Sequence, residues 1–203
     1  MLEIQPTLSP KQIEIADAAL KIIGEKGIAS LTTAALAQEL GVSSGAPFRH
    51  FATRDKILGA AAQRVADLVA DTYPSAELPP LERLRALFHA RVSTVGQRAG
   101  VARFIFSDQF ALALPPEAVK QMQTLVSGTR TFVLQALSEG GERGDFRTDL
   151  TPKALLPIVM GSLQHLVFLS AQPPGLGKPP KASDVFKTLI ELLAPYPLPE
   201  FLK

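Results

Sequence analysis

The chain has 203 residues, 46% of them hydrophobic, and a formal net charge of +2: enough for one large or two small domains with a sizeable core, and too near neutrality to indicate nucleic acid by charge alone. It contains no cysteine, which excludes a disulfide framework and a thiolate metal site and fits a reducing compartment. No run is read as approaching the roughly 20 apolar residues that a bilayer span needs, and the start MLEIQPTLS lacks a basic region followed by an apolar one, so the chain is expected in the cytoplasm with no membrane partner.

After an arm-like MLEIQPT, the first helix start is well marked. Ser9 is placed to cap, Pro10 suits the first helical position, Gln12 completes a capping box, and Leu8 with Ile13 has the spacing of a hydrophobic staple. Ile13, Ala16, Leu20 and Ile23 then form an apolar face, and Gly27 ends the helix. Thr32 and Thr33 start a second helix, where a hydroxyl can cap and the exposed N–H groups can hold a phosphate. Leu36, Ala37 and Leu40 share one face of that helix, and Gly41 supplies a left-handed stop. Ser43 or Ser44 is a candidate cap for a very short helical segment, SSGAPFRHF, over 43–51. Two short helices joined this tightly read as a helix-turn-helix, whose second member enters the major groove of DNA. Ser43, Ser44, Gly45 and Ala46 are small enough for close approach, and Ala46 or Pro47 suits a thymine methyl. Pro47 is tolerated only near a first turn, so the cap is Ser44 or the segment begins with a tight turn. Phe48 is read as a packing aromatic, and Arg49 and His50 as contacts to phosphate or a base edge. Thr53 caps the next helix, which carries Arg54 and Lys56 in its first turn. Cations sit awkwardly at that positive end unless phosphate oxygens lie close by. Ile57, Leu58, Ala61, Val65, Leu68 and Val69 continue an amphipathic helix that runs out before Pro74.

The run IADAALKIIGEKGIASLTTAALAQELGVSSGAPFRHFATRDKIL resembles the N-terminal domain of TetR-family transcriptional regulators. The resemblance is carried by Ala18, Ala19, Gly27, Leu31 to Thr33, Ala37, Gly41 to Ser43, the run Phe48 to Phe51, and Lys56 to Leu58, and it covers roughly the first third of the chain. It implies an all-α fold: a three-helix helix-turn-helix DNA-binding domain over 1–53, then a helical effector-binding and dimerisation domain over 54–203, with a connecting helix from about 54 to 73. It also implies a phosphate contact at Arg54. Two positions depart from the usual pattern: Ala34 stands where an arginine often follows the Thr-Thr pair, and Phe48 where tyrosine is common.

PSAELPP at 74–80 breaks the chain, and five helical blocks follow, separated by prolines and glycines: LERLRALFHARVSTVGQRA, GVARFIFSDQFALAL, PEAVKQMQTLVSGTRTFVLQALSEG, TPKALLPIVMGSLQHLVFLSA and SDVFKTLIELLA. The fourth is apolar on nearly every side and calls for cover on both. Gly161 and Ser162 would admit a close helix, and the last block adds a second apolar face. The last two helices of TetR-family proteins usually form a four-helix dimer interface, which implies a homodimer joined through Gly161, Leu163, Leu166, Val167, Leu189, Leu192 and Leu193. Phe88, Val92, Phe104, Phe110, Met122, Phe132, Met160 and Phe168 are candidates to line an apolar effector cavity, with His89, Gln109, Gln164 or His165 as its sparse polar groups. Arg83, Arg85, Arg91, Arg98 and Arg103 are read mostly as solvated helix faces, with attraction of an acidic effector as the alternative.

Three histidines, no cysteine, no Gly-rich phosphate loop and no His-x-x-x-His pair argue against an enzyme, a metal site or a cofactor. The expectation is a DNA-binding regulator, a repressor in the commonest case, that binds an inverted-repeat operator as a homodimer and answers to a small apolar effector. The alternative is an architectural or cell-cycle factor of the same fold, controlled by a protein partner.

Overall fold

In the computed structural model of the protein, which describes residues 7–106, 112–172 and 180–195, the chain begins with the capping box its sequence announces. Gln12 donates its N–H to Ser9 Oγ (3.4 Å) and its Oε1 accepts from the Ser9 N–H (2.9 Å), so α1, Pro10–Lys26, starts with orphan donors satisfied from both sides. Gly27 stops it at φ 83°. A single 3-10 turn, Ile28–Ser30, leads to α2, Thr33–Leu40, whose cap is Thr32: its Oγ1 accepts the Ala35 N–H at 3.1 Å. Gly41, at φ 66° and ψ 32°, is the left-handed residue that ends α2. Then follow α3 (Arg54–Ala70), α4 (Pro80–Thr94), α5 (Ala99–Phe106), α6 (Pro116–Glu142), α7 (Pro152–Ser170) and α8 (Ala182–Leu193). No strand occurs among the described residues. The expected all-α fold is what forms. The arm expected over 1–7 lies, except for Thr7, outside the described residues.

The chain divides into two compact units, Met1–Ala70 with Arg98–Leu125 and Asp71–Gln97 with Val126–Lys203. Ile57, Leu58, Ala61 and Val65 of α3 are fully buried, and α3 packs on α1 and α5, so the helix read as a connector belongs to the core of the first unit. Within that unit α1 is central, touching α2, α3 and α5. The crossing with α5 is made by glycines: a Cβ on Gly100 would lie 1.8 Å from the Leu20 carbonyl oxygen, and one on Gly24 would lie 2.5 Å from the Gly100 nitrogen. No side chain fits between those backbones.

The second unit is built on α4, α7, α8 and the later part of α6. Leu84, Leu87 and Phe88 of α4 face Val159, Leu163 and Leu166 of α7 and Phe186, Leu189 and Leu193 of α8 in one buried layer. In the last turn of α6, Gly140 accepts the Phe146 ring against its bare backbone, and the Arg147 N–H bonds the Leu193 carbonyl at 2.7 Å, tying the returning loop to the end of α8. One sequence expectation is corrected here. Helix α7, 19 residues long with a mean hydropathy of 1.3 over its most apolar window, is long and apolar enough to cross a bilayer by length and composition. It is also a helix of this core, with Leu155, Leu156, Val159, Met160, Leu163, Leu166 and Val167 buried against its neighbours, as a central helix of a folded domain is.

Candidate nucleic-acid interface

The segment between α2 and α3 is where the sequence locates DNA contact, and its local structure follows from its residues. The Ala46 N–H bonds the Ser43 carbonyl at 2.9 Å, closing a tight turn, and Pro47–Arg49 form one 3-10 turn. The second element of the motif is thus a pair of turns and not an α-helix, with no side-chain cap from Ser43 or Ser44 on the 3-10 turn. Pro47 opens that 3-10 turn, where its missing N–H leaves no bond unmade. Ser43, Ser44 and Gly45 are exposed and Ala46 is half-buried, whereas Pro47 is buried. Pro47 is therefore unable to meet a thymine methyl; among the apolar residues considered for that contact, Ala46 alone reaches the surface. Phe48 is half-buried and Phe51 buried, anchoring the turn from below.

Around this turn, Thr32, Thr33, Arg49, His50 and Lys56 are all exposed. Among the described residues neither Arg49 nor Lys56 is in an ion pair, while the cations away from the turn are often engaged: Lys21 with Glu39 at 2.7 Å, Arg64 with Asp17 at 2.9 Å. Thr53 Oγ1 accepts the Lys56 N–H at 3.2 Å and so caps α3 as expected.

Arg54 makes two bonds inside the protein. Its Nε donates to the Leu31 carbonyl at 3.1 Å and its Nη2 to the Ile28 carbonyl at 2.9 Å. The cation at a helix N-terminus thus has its oxygens inside the protein: it clasps the 3-10 turn before α2 and so sets where Thr32 and Thr33 stand. Its side-on edge, Nε and Nη2, is engaged by those two carbonyls.

The residues expected at an effector cavity and a dimer face are distributed as follows. In the second unit Phe88 is fully buried against Phe186 (ring centroids 5.4 Å apart), Phe132 is half-buried against Tyr73 (5.2 Å), Met160 is buried and Val92 half-buried. In the first unit Phe104 is buried and Met122 half-buried; Gln109 and Phe110 lie outside the described residues. His165 and Phe168, stacked at 6.4 Å, are exposed on the outside of α7, and so do not line an interior. Of the dimer candidates, Leu163, Leu166, Val167, Leu189 and Leu193 are buried within the protomer, because α4, α7 and α8 cover one another. Gly161 and Leu192 are exposed. The outward stripe of α7 is Ala154, Ile158, Gly161, His165 and Phe168, at alternating spacings of four and three, with Ile158 51% and Phe168 45% exposed, and α8 adds Leu192 at 58%.

Two of the arginines read mostly as solvated helix faces are buried in the second unit. Arg83 and Arg91, two turns apart on α4, are only 2% and 6% exposed. Arg83 is paired with Glu139 of α6 through Nη2, and this bond, with one from Gln135, holds the Glu139 carboxyl below its ordinary value of 4.5. Arg91 lies over the Tyr73 ring, 5.3 Å from its centroid, and the Tyr73 hydroxyl shares a 2.7 Å hydrogen bond with Thr129 Oγ1. Burial pushes the Arg91 guanidinium below its ordinary value, with Tyr73 opposing. A signal was present: Leu84, Leu87, Phe88, Arg91 and Val95 share the spacing of one helix face, which places an arginine in an apolar stripe.

Comparison with known proteins agrees with this architecture. Residues 15–61 match the family described as bacterial regulatory proteins, tetR family. Over 140 residues the chain is 24% identical to the HTH-type transcriptional repressor KstR2 of Mycobacterium tuberculosis, spanning 68% of this chain and 70% of that one. The solved structure of the ketosteroid transcriptional regulator KstR2 of Mycobacterium tuberculosis superposes with a TM-score of 0.75 at 19% identity, covering 96% of this chain and 100% of the other. AibR, in complex with isovaleryl coenzyme A and operator DNA, gives 0.73 at 17% identity, over 91% and 98%. A putative transcriptional regulator from Saccharomonospora viridis in complex with choline gives 0.70 at 19%, over 91% and 96%.

Proposed function

We propose that this chain, whose residues 15–61 match the family of bacterial regulatory proteins, tetR family, is a non-enzymatic DNA-binding regulator of that family, a ligand-responsive repressor acting in the cytoplasm as a homodimer on an inverted-repeat operator. The observation that carries the reading is the turn with Ser43, Ser44 and Gly45 exposed and Ala46 half-buried, Arg49, His50 and Lys56 unburied beside it, anchored from beneath by Pro47 and Phe51. Small residues at the turn allow backbone to approach base edges, and the flanking cations meet phosphates. Thr32 and Thr33 present the N-terminus of α2 to the same strand backbone.

Two copies joined through the outward stripe of α7 and Leu192 of α8 would present two such turns to half-sites about 34–36 Å apart. The partly exposed Ile158, Phe168 and Leu192 support that face, since large apolar groups on a soluble surface mark association. Ile158→Glu is expected to yield a folded monomer in sedimentation; a variant that stays dimeric removes this face from the proposal. Effector control is supported by the neighbours whose structures hold isovaleryl coenzyme A and choline. An effector that favours a protomer arrangement mismatched to successive major grooves releases DNA, and moving the bound fraction from 99:1 to 1:99 takes a preference of about 5.5 kcal/mol.

The test is a footprint of the purified protein on DNA flanking its own coding region. A protected inverted repeat filled by two protomers, or a small multiple, is the expected result. Binding that follows no sequence and yields to competitor DNA would contradict an operator there.

A further inference from the structure

We propose that Arg91 is the anion seat of the effector site, its Nε and Nη2 taking two oxygens of a carboxylate or phosphoryl head carried by an otherwise apolar molecule. This rests on the reading above that a small effector binds the C-terminal part of the chain, and it changes the effector's class from apolar to amphipathic and acidic.

The argument begins with the guanidinium's side-on edge, where the Nε–H and one Nη2–H run parallel and match two oxygens of one acid. The chain itself shows how it uses that edge. Arg64 grips Asp17 with Nε at 2.9 Å and Nη2 at 3.4 Å, and Arg147 grips Asp149 with Nε at 2.8 Å and Nη2 at 2.5 Å. Arg54 spends the same two atoms on the carbonyls of Ile28 and Leu31. In Arg91 both atoms are sealed from solvent and neither has a hydrogen-bond partner. No described carboxylate pairs with Arg91, although Arg83, two turns earlier on the same helix, has Glu139.

A buried cation without a counter-ion is unfavourable, and an arginine does not escape by losing its proton. Tyr73 covers one face of the guanidinium at 5.3 Å and is itself fixed by Thr129 and by the Phe132 ring. Tyr73 thus supports the charge, while Nε and Nη2 stay unpaired. Half-buried Phe132, 5.2 Å from the Tyr73 ring, supplies apolar surface for the rest of the molecule. The chemistry so described selects an anion with two adjacent oxygens over a neutral or cationic guest.

The experiment is thermal unfolding of the full chain with acetate, benzoate and decanoate, each against its neutral amide or alcohol at matched ionic strength, and with inorganic phosphate as a separate arm. At least one anion should raise Tm by roughly 5 °C or more at about 100 times its Kd, with its neutral partner inert. Carboxylates alone, or phosphate alone, acting in this way identifies the source of the head. Arg91→Met should start from a higher Tm, the unpaired charge being gone, and show no anion shift; Arg91→Lys, which keeps charge but not the fork, should bind at least tenfold more weakly. If no anion outperforms its neutral partner, or if Arg91→Met responds like the parent, the proposal is overturned. The same anions added to the protein–DNA complex separate the two readings: Arg91-dependent binding without DNA release upholds the seat and contradicts its effector role.

Discussion

The helix-turn-helix region and the second unit use arginine in opposite ways. In the first, Arg54 is exposed, and its fork closes on two backbone carbonyls of a 3-10 turn, so the charge organises local structure. In the second, Arg83 and Arg91 are buried in an apolar layer, one with a carboxylate and one without. An exposed charge is held cheaply and positions what lies near it; a buried charge is stable only with a partner, so an incomplete set points to something from outside the chain.

The largest effects should come from the glycine contacts that let each unit close. Gly100→Ala drives a Cβ onto the Leu20 carbonyl, backbone against backbone, and is expected to cost about 3 kcal/mol or more, read as a lowered urea midpoint. Gly140→Ala meets the Phe146 ring at 2.2 Å, but a side chain can yield, so about 1–3 kcal/mol is expected. Equal costs would mean that the α1–α5 crossing relaxes as readily as a ring. Next, Arg54→Ala removes two charge-assisted bonds from an exposed group, for about 1–2 kcal/mol in stability after solvent screening, and Arg54→Lys should not restore it. An unchanged midpoint would show the clasp to be idle. Thr32→Ala removes the cap on Ala35 and should cost about 1 kcal/mol, with helix content falling slightly by circular dichroism. The smallest effect is on pH dependence. Glu139 has its folded-state value lowered by Arg83, so its contribution is present above its ordinary 4.5 and lost as pH falls through the lowered value. Glu139→Gln should therefore flatten the acid limb of a stability–pH curve; an identical limb would mean the pair contributes nothing there.

Much of the first unit was legible because its signals are local. Ser9 with Gln12, Thr32, Gly41 and Thr53 each act within a few residues, and each forms the cap or stop its type implies. The bonds of Arg54 to the Leu31 and Ile28 carbonyls were not legible because those acceptors lie 23 and 26 residues upstream, beyond any local pattern; its unfavourable place at a helix start flagged oxygen partners without saying which. The burial of Pro47 was not legible since a proline in a turn reads alike whether it faces solvent or core. In the second unit, α7 is apolar on nearly every side, so sequence required cover on both without saying which side another helix of the same chain would take. The structure gives Leu163, Leu166 and Val167 to the protomer and leaves Ile158 and Phe168 outside. The burial of Arg91 was missed because arginine is read as solvated by default, against a spacing that placed it among Leu84, Leu87 and Phe88; attraction of an acidic effector stood only as the alternative for five arginines together.

The most direct test of DNA recognition by the turn after α2 is the salt dependence of operator affinity, followed by fluorescence anisotropy for the parent chain and for Arg49→Ala, Lys56→Ala and Arg54→Ala. Each lost phosphate contact should lower the slope of log affinity against log salt by about 0.9 per protomer. The account predicts that loss for Arg49→Ala and Lys56→Ala, and an unchanged slope with weaker binding for Arg54→Ala. A reduced slope for Arg54→Ala, with Arg49→Ala and Lys56→Ala like the parent, would contradict it.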